Sequence, residues 1–331
     1  VSGVVAVILA LMGFGIWSLV VRTLIMQLLV ATLLSLSNKW KPSLVFSKSS
    51  FRRLFRFGSR LLLSGLINTI YLDLYLIIIG KAFSTTDLGH FTNAKKLRDV
   101  LSRSVTTSLQ RVTYPLLSSI QEDENRLRLG FKKMIRVSTF VNSPVMVFFS
   151  ATSGPLIGLV FGQKWLPSAP LFQIMCFTGL FYPLNAINLN VFQVKGRSDL
   201  VLKLEIMKKV FITVTVAAVL LLRLGIIVLV WTTVLNSAFG YVINSYYSKK
   251  VISYSFIDQT RDILPSFLLS FAMGAIVYIA GILLPCGDLP KLLVQALVGF
   301  SSYIGLSKVF KIRELDIIKA LVHSFVRKIR R

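Results

Sequence analysis

The chain contains few of the residues from which catalytic and metal sites are usually built. Its 331 residues include two cysteines and two histidines. With only Cys176 and Cys286, neither a disulfide framework nor a thiolate metal site is expected. No HExxH, CxxC or Walker-type glycine loop occurs, and the one acidic cluster, residues 122–124, is interpreted as a solvated turn. The sequence therefore predicts a protein without catalytic residues, metal or organic cofactor, which is not an enzyme.

Acidic residues are also scarce, because 13 Asp and Glu stand against 38 Lys and Arg, for a net charge of +25. Only 15% of the residues are charged and 54% are hydrophobic. A soluble protein this basic would usually bind nucleic acid, but here long uncharged runs alternate with short basic connectors. The runs without Lys, Arg, Asp or Glu are residues 1–21, 137–163, 165–194, 224–248 and 263–287. Each exceeds the ~20 residues that a helix needs to cross a bilayer, so we predict an all-α, polytopic transmembrane helix bundle whose partners include membrane lipids and not nucleic acid.

The apolar runs, with the glycines and prolines between them, predict about ten spans. These are residues 1–12 (partial), 16–36, 60–80, 88–116, 137–158, 168–192, 204–222, 224–246, 263–284 and 291–308. Lys and Arg concentrate in alternate connectors and in the C-terminal tail, and the positive-inside rule places that side in the cytoplasm. Because the chain begins with Val1 inside an apolar stretch, we also expect it to be truncated at its N-terminus.

The fourth predicted span, residues 88–116, carries charge at membrane depth. Lys95, Asp99, Arg103, Thr106 and Gln110 fall within an arc of roughly 80° at about 100° per residue. Each cation at the bilayer centre costs on the order of 3 kcal/mol, so such residues usually face a watery cavity or a partner. Asp99 stands four residues from both Lys95 and Arg103, which predicts an intrahelical ladder of ion pairs. The helix remains net positive, and we predict that it lines a pathway for an anionic substrate.

Further polar residues lie inside other predicted spans. Asp73, in the third span, is a candidate for pairing with a fourth-span cation or for coupling to an ion, as is Asp99 in the fourth span. Asn68 lies slightly more than one helical turn before Asp73, and Asn185 and Asn188 lie in the sixth span. Asparagine in a membrane helix bonds to a neighbouring helix more often than to a ligand. Both interpretations, cavity residue and helix contact, stay open for these amides.

Four segments resemble those of a known family: residues 14–29, 55–81, 88–123 and 161–209. The first contains Gly-x-Trp, the second a Phe-Gly entry and an Asp before Ile-Gly-Lys, and the third ends in Pro-Leu-x-Ser. The fourth is the most similar, through Gly-x-Lys-Trp, Pro-Leu-Asn and Lys-Gly-Arg-Ser-Asp. In these segments the chain resembles the Wzx-type polysaccharide flippases, which export O-antigen or lipopolysaccharide and belong to the MATE-like multidrug/oligosaccharidyl-lipid/polysaccharide superfamily.

The resemblance implies a MATE-like bundle of two pseudo-symmetric six-helix lobes and two additional helices, with about ten of the usual fourteen spans present. It assigns residues 1–36 to the last helices of the first lobe, 37–60 to a basic cytoplasmic connector, 61–250 to the second lobe, 262–309 to the two additional helices and 310–331 to a basic cytoplasmic tail.

The resemblance also implies a function in the bacterial cytoplasmic (inner) membrane. The expected substrate is a polyprenyl-diphosphate-linked oligosaccharide for O-antigen, capsule or exopolysaccharide, moved by alternating access through a cationic cavity. The carried-over candidates for substrate binding are Lys95, Arg98, Arg103 and Arg111. Proton or sodium coupling is left open, and other polysaccharide assembly proteins are candidate partners.

Two alternatives remain at this point. A flippase for the peptidoglycan precursor lipid II would need the same cationic cavity, so the sequence alone does not separate it from a polysaccharide flippase. A membrane-embedded polymerase or ligase would usually carry a large periplasmic loop, whereas the outward connectors predicted here are short. Because a chain with one incomplete lobe should not alternate its access, we expect these 331 residues to be inactive alone.

Overall fold

The structure is a computed structural model that describes residues 2–37, 45–284 and 286–317. In the helix at residues 85–119, the side chains at positions 103, 105 and 108–113 are not among those described. Two predicted substrate-binding cations, Arg103 and Arg111, therefore lie outside the described side chains. Residues 318–331 of the predicted tail also lie outside the described part.

The described chain is helical, and no β-strand occurs in residues 2–37, 45–284 or 286–317. The helices are α1 (Ser2–Leu11), α2 (Trp17–Ser37), α3 (Lys48–Ala82), α4 (Thr85–Ser119), α5 (Glu124–Ala151), α6 (Ser153–Phe161), α7 (Ser168–Val194), α8 (Ser198–Leu221), α9 (Ile226–Ile252), α10 (Phe256–Leu283) and α11 (Asp288–Val309). A 3-10 turn, Gln163–Trp165, precedes α7. The predicted all-α fold class is confirmed.

The chain divides into two compact units, residues 1–53 and 54–331. In the first unit α1 and α2 pack against each other. The chain reverses between them at Gly13 and Gly15, whose φ angles of +87° and +51° suit a residue without Cβ. The Ser18 hydroxyl donates a hydrogen bond to the Gly15 carbonyl oxygen at 2.7 Å, which closes the turn at the start of α2.

In the second unit, α7 is the helix against which α4, α5 and α9 pack. α7 has no Lys, Arg, Asp or Glu and is buried around most of its circumference, as expected for a helix that is apolar on every side. It contributes to each buried apolar cluster of the described residues, for example through Leu184, Phe172 and Leu180. α10 packs on α5, and α11 packs on α10.

The predicted span 137–158 starts within α5, which is long and apolar enough to cross a membrane, but its predicted end is wrong, because α5 and α6 meet at Thr152. Pro155 has no backbone N–H, so it cannot donate the helical hydrogen bond to the Ala151 carbonyl oxygen. The Thr152 hydroxyl turns back and donates to the Phe148 carbonyl oxygen at 2.9 Å. α5 therefore ends near a proline inside an apolar run, whereas the apolar pattern alone predicted one continuous helix.

Seven of the described helices are long and apolar enough to cross a membrane: α2, α3, α5, α7, α9, α10 and α11. This confirms a multi-span protein, although the sequence predicted about ten spans. α1 is shorter, at 10 residues, and α4 and α8 are long enough but bear clusters of charged residues. α3 begins at Lys48, so the second half of the predicted connector 37–60 is helical.

Candidate functional site

α4 is the charged helix predicted at membrane depth, and it packs along α7. A capping box fixes its N-terminus, because the Asp87 backbone N–H donates to Ser84 Oγ at 3.0 Å and the Asp87 carboxylate accepts from the Ser84 backbone N–H. Farther along the helix, Ala94 and Ser102 are buried. The Ser102 hydroxyl donates to the Gly179 carbonyl oxygen of α7 at 3.4 Å.

The charged residues of α4 stand beside this buried face. Arg98 Nε lies 2.9 Å from Asp99 Oδ1, and the two side chains are 14% and 24% exposed. Lys95 is half-buried one turn earlier, whereas Lys96 is exposed. The described ion pair of Asp99 is thus with its neighbour Arg98, and the predicted ladder to Arg103 remains a prediction. Among its described side chains, α4 therefore holds two half-buried cations and one half-buried carboxylate on the helix that packs along α7.

A polar contact that the sequence analysis missed joins α4, α5 and α7. Asn142 of α5 is buried and donates through Nδ2 to the Gly179 carbonyl oxygen at 3.0 Å, so this oxygen accepts from both Asn142 and Ser102. A Cβ at Gly179 would overlap the Met146 side chain, which shows that the glycine permits the close approach of α5 and α7. The sequence signal for this contact was that Asn142 is an asparagine inside an uncharged run.

A second charged group links α8 to α3. Glu205 Oε2 lies 3.9 Å from Lys209 Nζ, and Glu205 also pairs with Lys208 on the same helix. Lys209 Nζ donates to Asn68 Oδ1 at 2.8 Å and lies 5.5 Å from the centre of the Tyr71 ring. The amide of Asn68 is therefore bound to a lysine from a distant part of the sequence. No pattern in the sequence analysis indicated this group.

Asp73 lies on α3 and its side chain is exposed. Neither of its two predicted roles is tested by the structure. Within the described part of the chain it makes no ion pair, although pairing with a fourth-span cation was one of the two predicted roles. Pairing with a fourth-span cation and ion coupling therefore both remain predictions.

Asn185 and Asn188 of α7 both bond to α9, and Asn188 also bonds to α10. Asn244 Nδ2 donates to Asn185 Oδ1 at 2.8 Å. Asn188 Nδ2 donates to Gln259 Oε1 at 3.1 Å, while the Ser248 hydroxyl donates to Asn188 Oδ1 at 2.5 Å. Asn188, Ser248 and Gln259 are fully buried. In this structure both amides are helix contacts, and a role in a substrate cavity stays a prediction.

The two charged groups give the second unit an excess of positive charge at partly buried positions. Lys95 and Arg98 stand with Asp99 on α4, and Lys208 and Lys209 stand with Glu205 on α8. Charge-assisted hydrogen bonds from such cations suit an anion such as a phosphate. Among the described residues no hydrogen bond or ion pair joins the two groups, and no cluster of three or more His, Cys, Asp or Glu forms a metal site.

A bundle of apolar spans with cations inside one of its helices is that of a multi-pass membrane protein. The chain belongs to the family described as "Polysaccharide biosynthesis protein", whose profile matches residues 1–170. The predicted membership of the polysaccharide flippase group is confirmed by this match together with the relatives that follow.

Characterised relatives are similar over most of this chain. The teichuronic acid biosynthesis protein TuaB of Bacillus subtilis is 24% identical over 242 residues, which cover 73% of this chain and 50% of TuaB. The lipopolysaccharide biosynthesis protein WzxC of Escherichia coli is 25% identical over 250 residues, 72% of this chain and 50% of WzxC. The succinoglycan biosynthesis transport protein ExoT of Rhizobium meliloti is 25% identical over 183 residues, 55% of this chain and 37% of ExoT. The chain spans about half the length of TuaB and WzxC.

A solved structure has the same fold. The lipid II flippase MurJ in an inward closed conformation superposes with a TM-score of 0.65 at 17% sequence identity. The match covers 96% of this chain and 66% of the MurJ chain. The chain therefore has the multi-span helical architecture of MurJ over nearly its whole length.

Proposed function

We propose that the chain is part of a flippase that moves a polyprenyl-diphosphate-linked oligosaccharide across the bacterial cytoplasmic membrane for the assembly of a surface polysaccharide. The observation that carries this proposal is the pair of half-buried cations on α4, Lys95 and Arg98, within a bundle of apolar spans. A neutral or cationic substrate would gain nothing from these cations, whereas a diphosphate would be stabilised by them.

The names of the relatives support a polysaccharide precursor as the substrate class. TuaB, WzxC and ExoT are named for teichuronic acid, lipopolysaccharide and succinoglycan biosynthesis. The similarity to MurJ concerns the fold, and lipid II is therefore not the favoured substrate. In the proposed cycle, the diphosphate binds the α4 cations while the polyprenyl tail stays in the bilayer, and the cavity then opens to the other side.

Orientation and coupling belong to the same proposal. The concentration of Lys and Arg in alternate connectors supports a cytoplasmic C-terminus and the inner-membrane location. Asp73 is our candidate for coupling to a proton or sodium gradient, since it is a carboxylate in an apolar helix and makes no ion pair within the described residues. Other polysaccharide assembly proteins are the proposed partners.

An export assay tests the proposal. The chain, alone and joined to the first-lobe helices of a relative, would be expressed in a bacterium that lacks its own polysaccharide flippase. Surface glycan and the lipid-linked intermediate on the cytoplasmic face would be measured at matched protein levels. We expect the joined form to restore surface glycan, and the double variant Lys95→Ala/Arg98→Ala to lower export at least tenfold while intermediate accumulates.

Lys96→Ala is the matched control, because Lys96 is a cation on the same helix but on its exposed side, next to Val100. This variant should export normally. Unchanged export by the Lys95/Arg98 variant, or an equal loss in both variants, would show that the half-buried cations do not bind substrate. If the joined form restores the growth of a host depleted of its lipid II flippase but does not restore surface polysaccharide, the substrate is lipid II and the proposed substrate is wrong.

A further inference from the structure

A cavity of about 250 Å³ lies at one end of the second unit, where α5, α10 and the residues after α11 meet. Its lining is mostly charged and polar and includes Arg136, Asp262, Ser266, Lys311, Arg313 and Glu314. It is separate from the charged residues of α4 and α8, none of which lines it. It is therefore a different place in the fold from the candidate substrate site.

The carboxylates of this cavity are already neutralised by neighbours. Asp262 Oδ2 lies 2.9 Å from Lys132 Nζ and accepts a hydrogen bond from the Tyr254 hydroxyl at 2.5 Å. Burial, and secondly this bond to Asp262, raise the pKa of Tyr254 above its usual range, so the phenol remains a donor. Glu314 pairs with Arg136. Both acidic side chains of the cavity thus pair with Lys132 or Arg136, and the remaining cations of the cavity have no acidic partner there among the described residues.

Those remaining cations are Lys311 and Arg313, which line the cavity and are exposed. Neither makes an ion pair within residues 2–37, 45–284 and 286–317. A turn after α11 sets their position: Lys311 adopts φ +49°, and the Ile312 N–H donates to the Ser307 carbonyl oxygen at 3.0 Å. Two cations are therefore held at the mouth of the cavity.

An apolar surface adjoins this mouth. Pro265 of α10 lines the cavity, and the neighbouring Leu264 and Leu268 are exposed on the same helix. α10 is one of the helices apolar enough to cross a membrane. A ligand here would thus meet cations at one end and a lipid-facing apolar surface at the other, which is the chemistry of an anionic lipid.

We propose that this cavity binds the phosphate of an anionic glycerophospholipid, with the headgroup between Lys311 and Arg313 and the acyl chains along α10. Basic pockets between transmembrane helices are suited to such headgroups. The proposed sidedness would place this lipid in the cytoplasmic leaflet, but the binding itself depends on neither the sidedness nor the transported substrate. The proposed site therefore holds a structural lipid, in addition to the transported substrate of the proposed function.

Lipid retention by the purified chain tests this site. The probe is phosphatidylglycerol, compared with phosphatidylcholine, and bound lipid is counted by native mass spectrometry over a concentration series. We expect a preference for phosphatidylglycerol that Lys311→Gln/Arg313→Gln lowers about 30-fold, which corresponds to about 1 kcal/mol for each cation near a lipid headgroup. The matched control Lys249→Gln/Lys250→Gln removes two exposed cations at the end of α9 and should retain the preference.

A charge-preserving variant, Lys311→Arg/Arg313→Lys, should bind like the original chain, which would show that the positive charge and not the identity of the two side chains is required. Equal binding of the two lipids, or equal loss in the α9 control, would overturn the site. Displacement of phosphatidylglycerol by inorganic phosphate at equal concentration would assign it to free phosphate. Displacement by a polyprenyl diphosphate would assign it to the transported lipid.

Discussion

The buried amide of Asn188 is the group whose removal has the most definite expected cost. It takes part in three hydrogen bonds to other helices: its Nδ2 donates to Gln259 Oε1 at 3.1 Å, and its Oδ1 accepts from Ser248 Oγ at 2.5 Å and from Gln259 Nε2 at 3.3 Å. Asn188→Ala would remove all three.

The magnitude depends on whether the former partners are left without bonds. Ser248 Oγ keeps its bond to the Asn244 carbonyl oxygen at 3.1 Å, and Gln259 Oε1 keeps the Ser245 hydroxyl at 3.0 Å. The penalty of about 1–3 kcal/mol for each orphaned buried group therefore does not apply in full. Three interhelical bonds at about 0.6 kcal/mol each in a membrane protein give about 2 kcal/mol.

The free energy of unfolding of purified protein, titrated from mild detergent into SDS, measures this loss. Asn236→Ala is the matched control, because Asn236 Oδ1 is buried without a hydrogen-bond partner among the described residues. We expect a loss of about 2 kcal/mol for Asn188→Ala and a clearly smaller one for the control. Equal losses would show that the network contributes no stability, and a loss above about 4 kcal/mol would show that the partners are orphaned after all.

Two further outcomes are expected. Gly274→Ala should lower the free energy of unfolding by about 1–3 kcal/mol, because the new Cβ would overlap Val147 Cγ1 and a β-branched side chain on a helix has little freedom to rotate away. In the same SDS titration, adding Val147→Ala should restore the lost stability. An unchanged free energy of unfolding in Gly274→Ala would contradict the packing of α10 on α5. A membrane-impermeant maleimide applied to intact cells should label Cys286, which is exposed, and not Cys176, which is buried. If Cys286 is labelled only after cell lysis, the proposed orientation of the chain in the membrane is reversed.

The fold class could be predicted from the sequence because its main signal is local. Uncharged runs longer than a bilayer requires identify membrane helices whatever they pack against. The positions of helix ends could be predicted less well. Pro155 lies inside such a run, so no change of composition marks the end of α5. The first part of α3, from Lys48 onward, is basic and as polar as a loop, so its composition does not mark the start of the helix.

The candidate site could be predicted only in part, because its charges are local and its partners are not. Periodicity was sufficient to select Lys95 and Asp99 on α4, whereas Arg98 was a candidate only through the family resemblance. The bond between Lys209 and Asn68 joins residues 141 positions apart, and no pattern within either helix indicates it. For this reason the sequence could select these amides and carboxylates as polar groups within predicted spans but left their contacts open.

The charge of α4 has a consequence for the synthesis of the protein. A helix leaving the ribosome partitions into lipid by its own composition, and each Lys or Arg near its centre opposes this by on the order of 3 kcal/mol. α4 is not among the helices apolar enough to cross a membrane alone. Its buried face is completed by α7, which begins at Ser168. α4 should therefore remain beside the translocon until α7 has emerged, and the two should enter the bilayer as a pair.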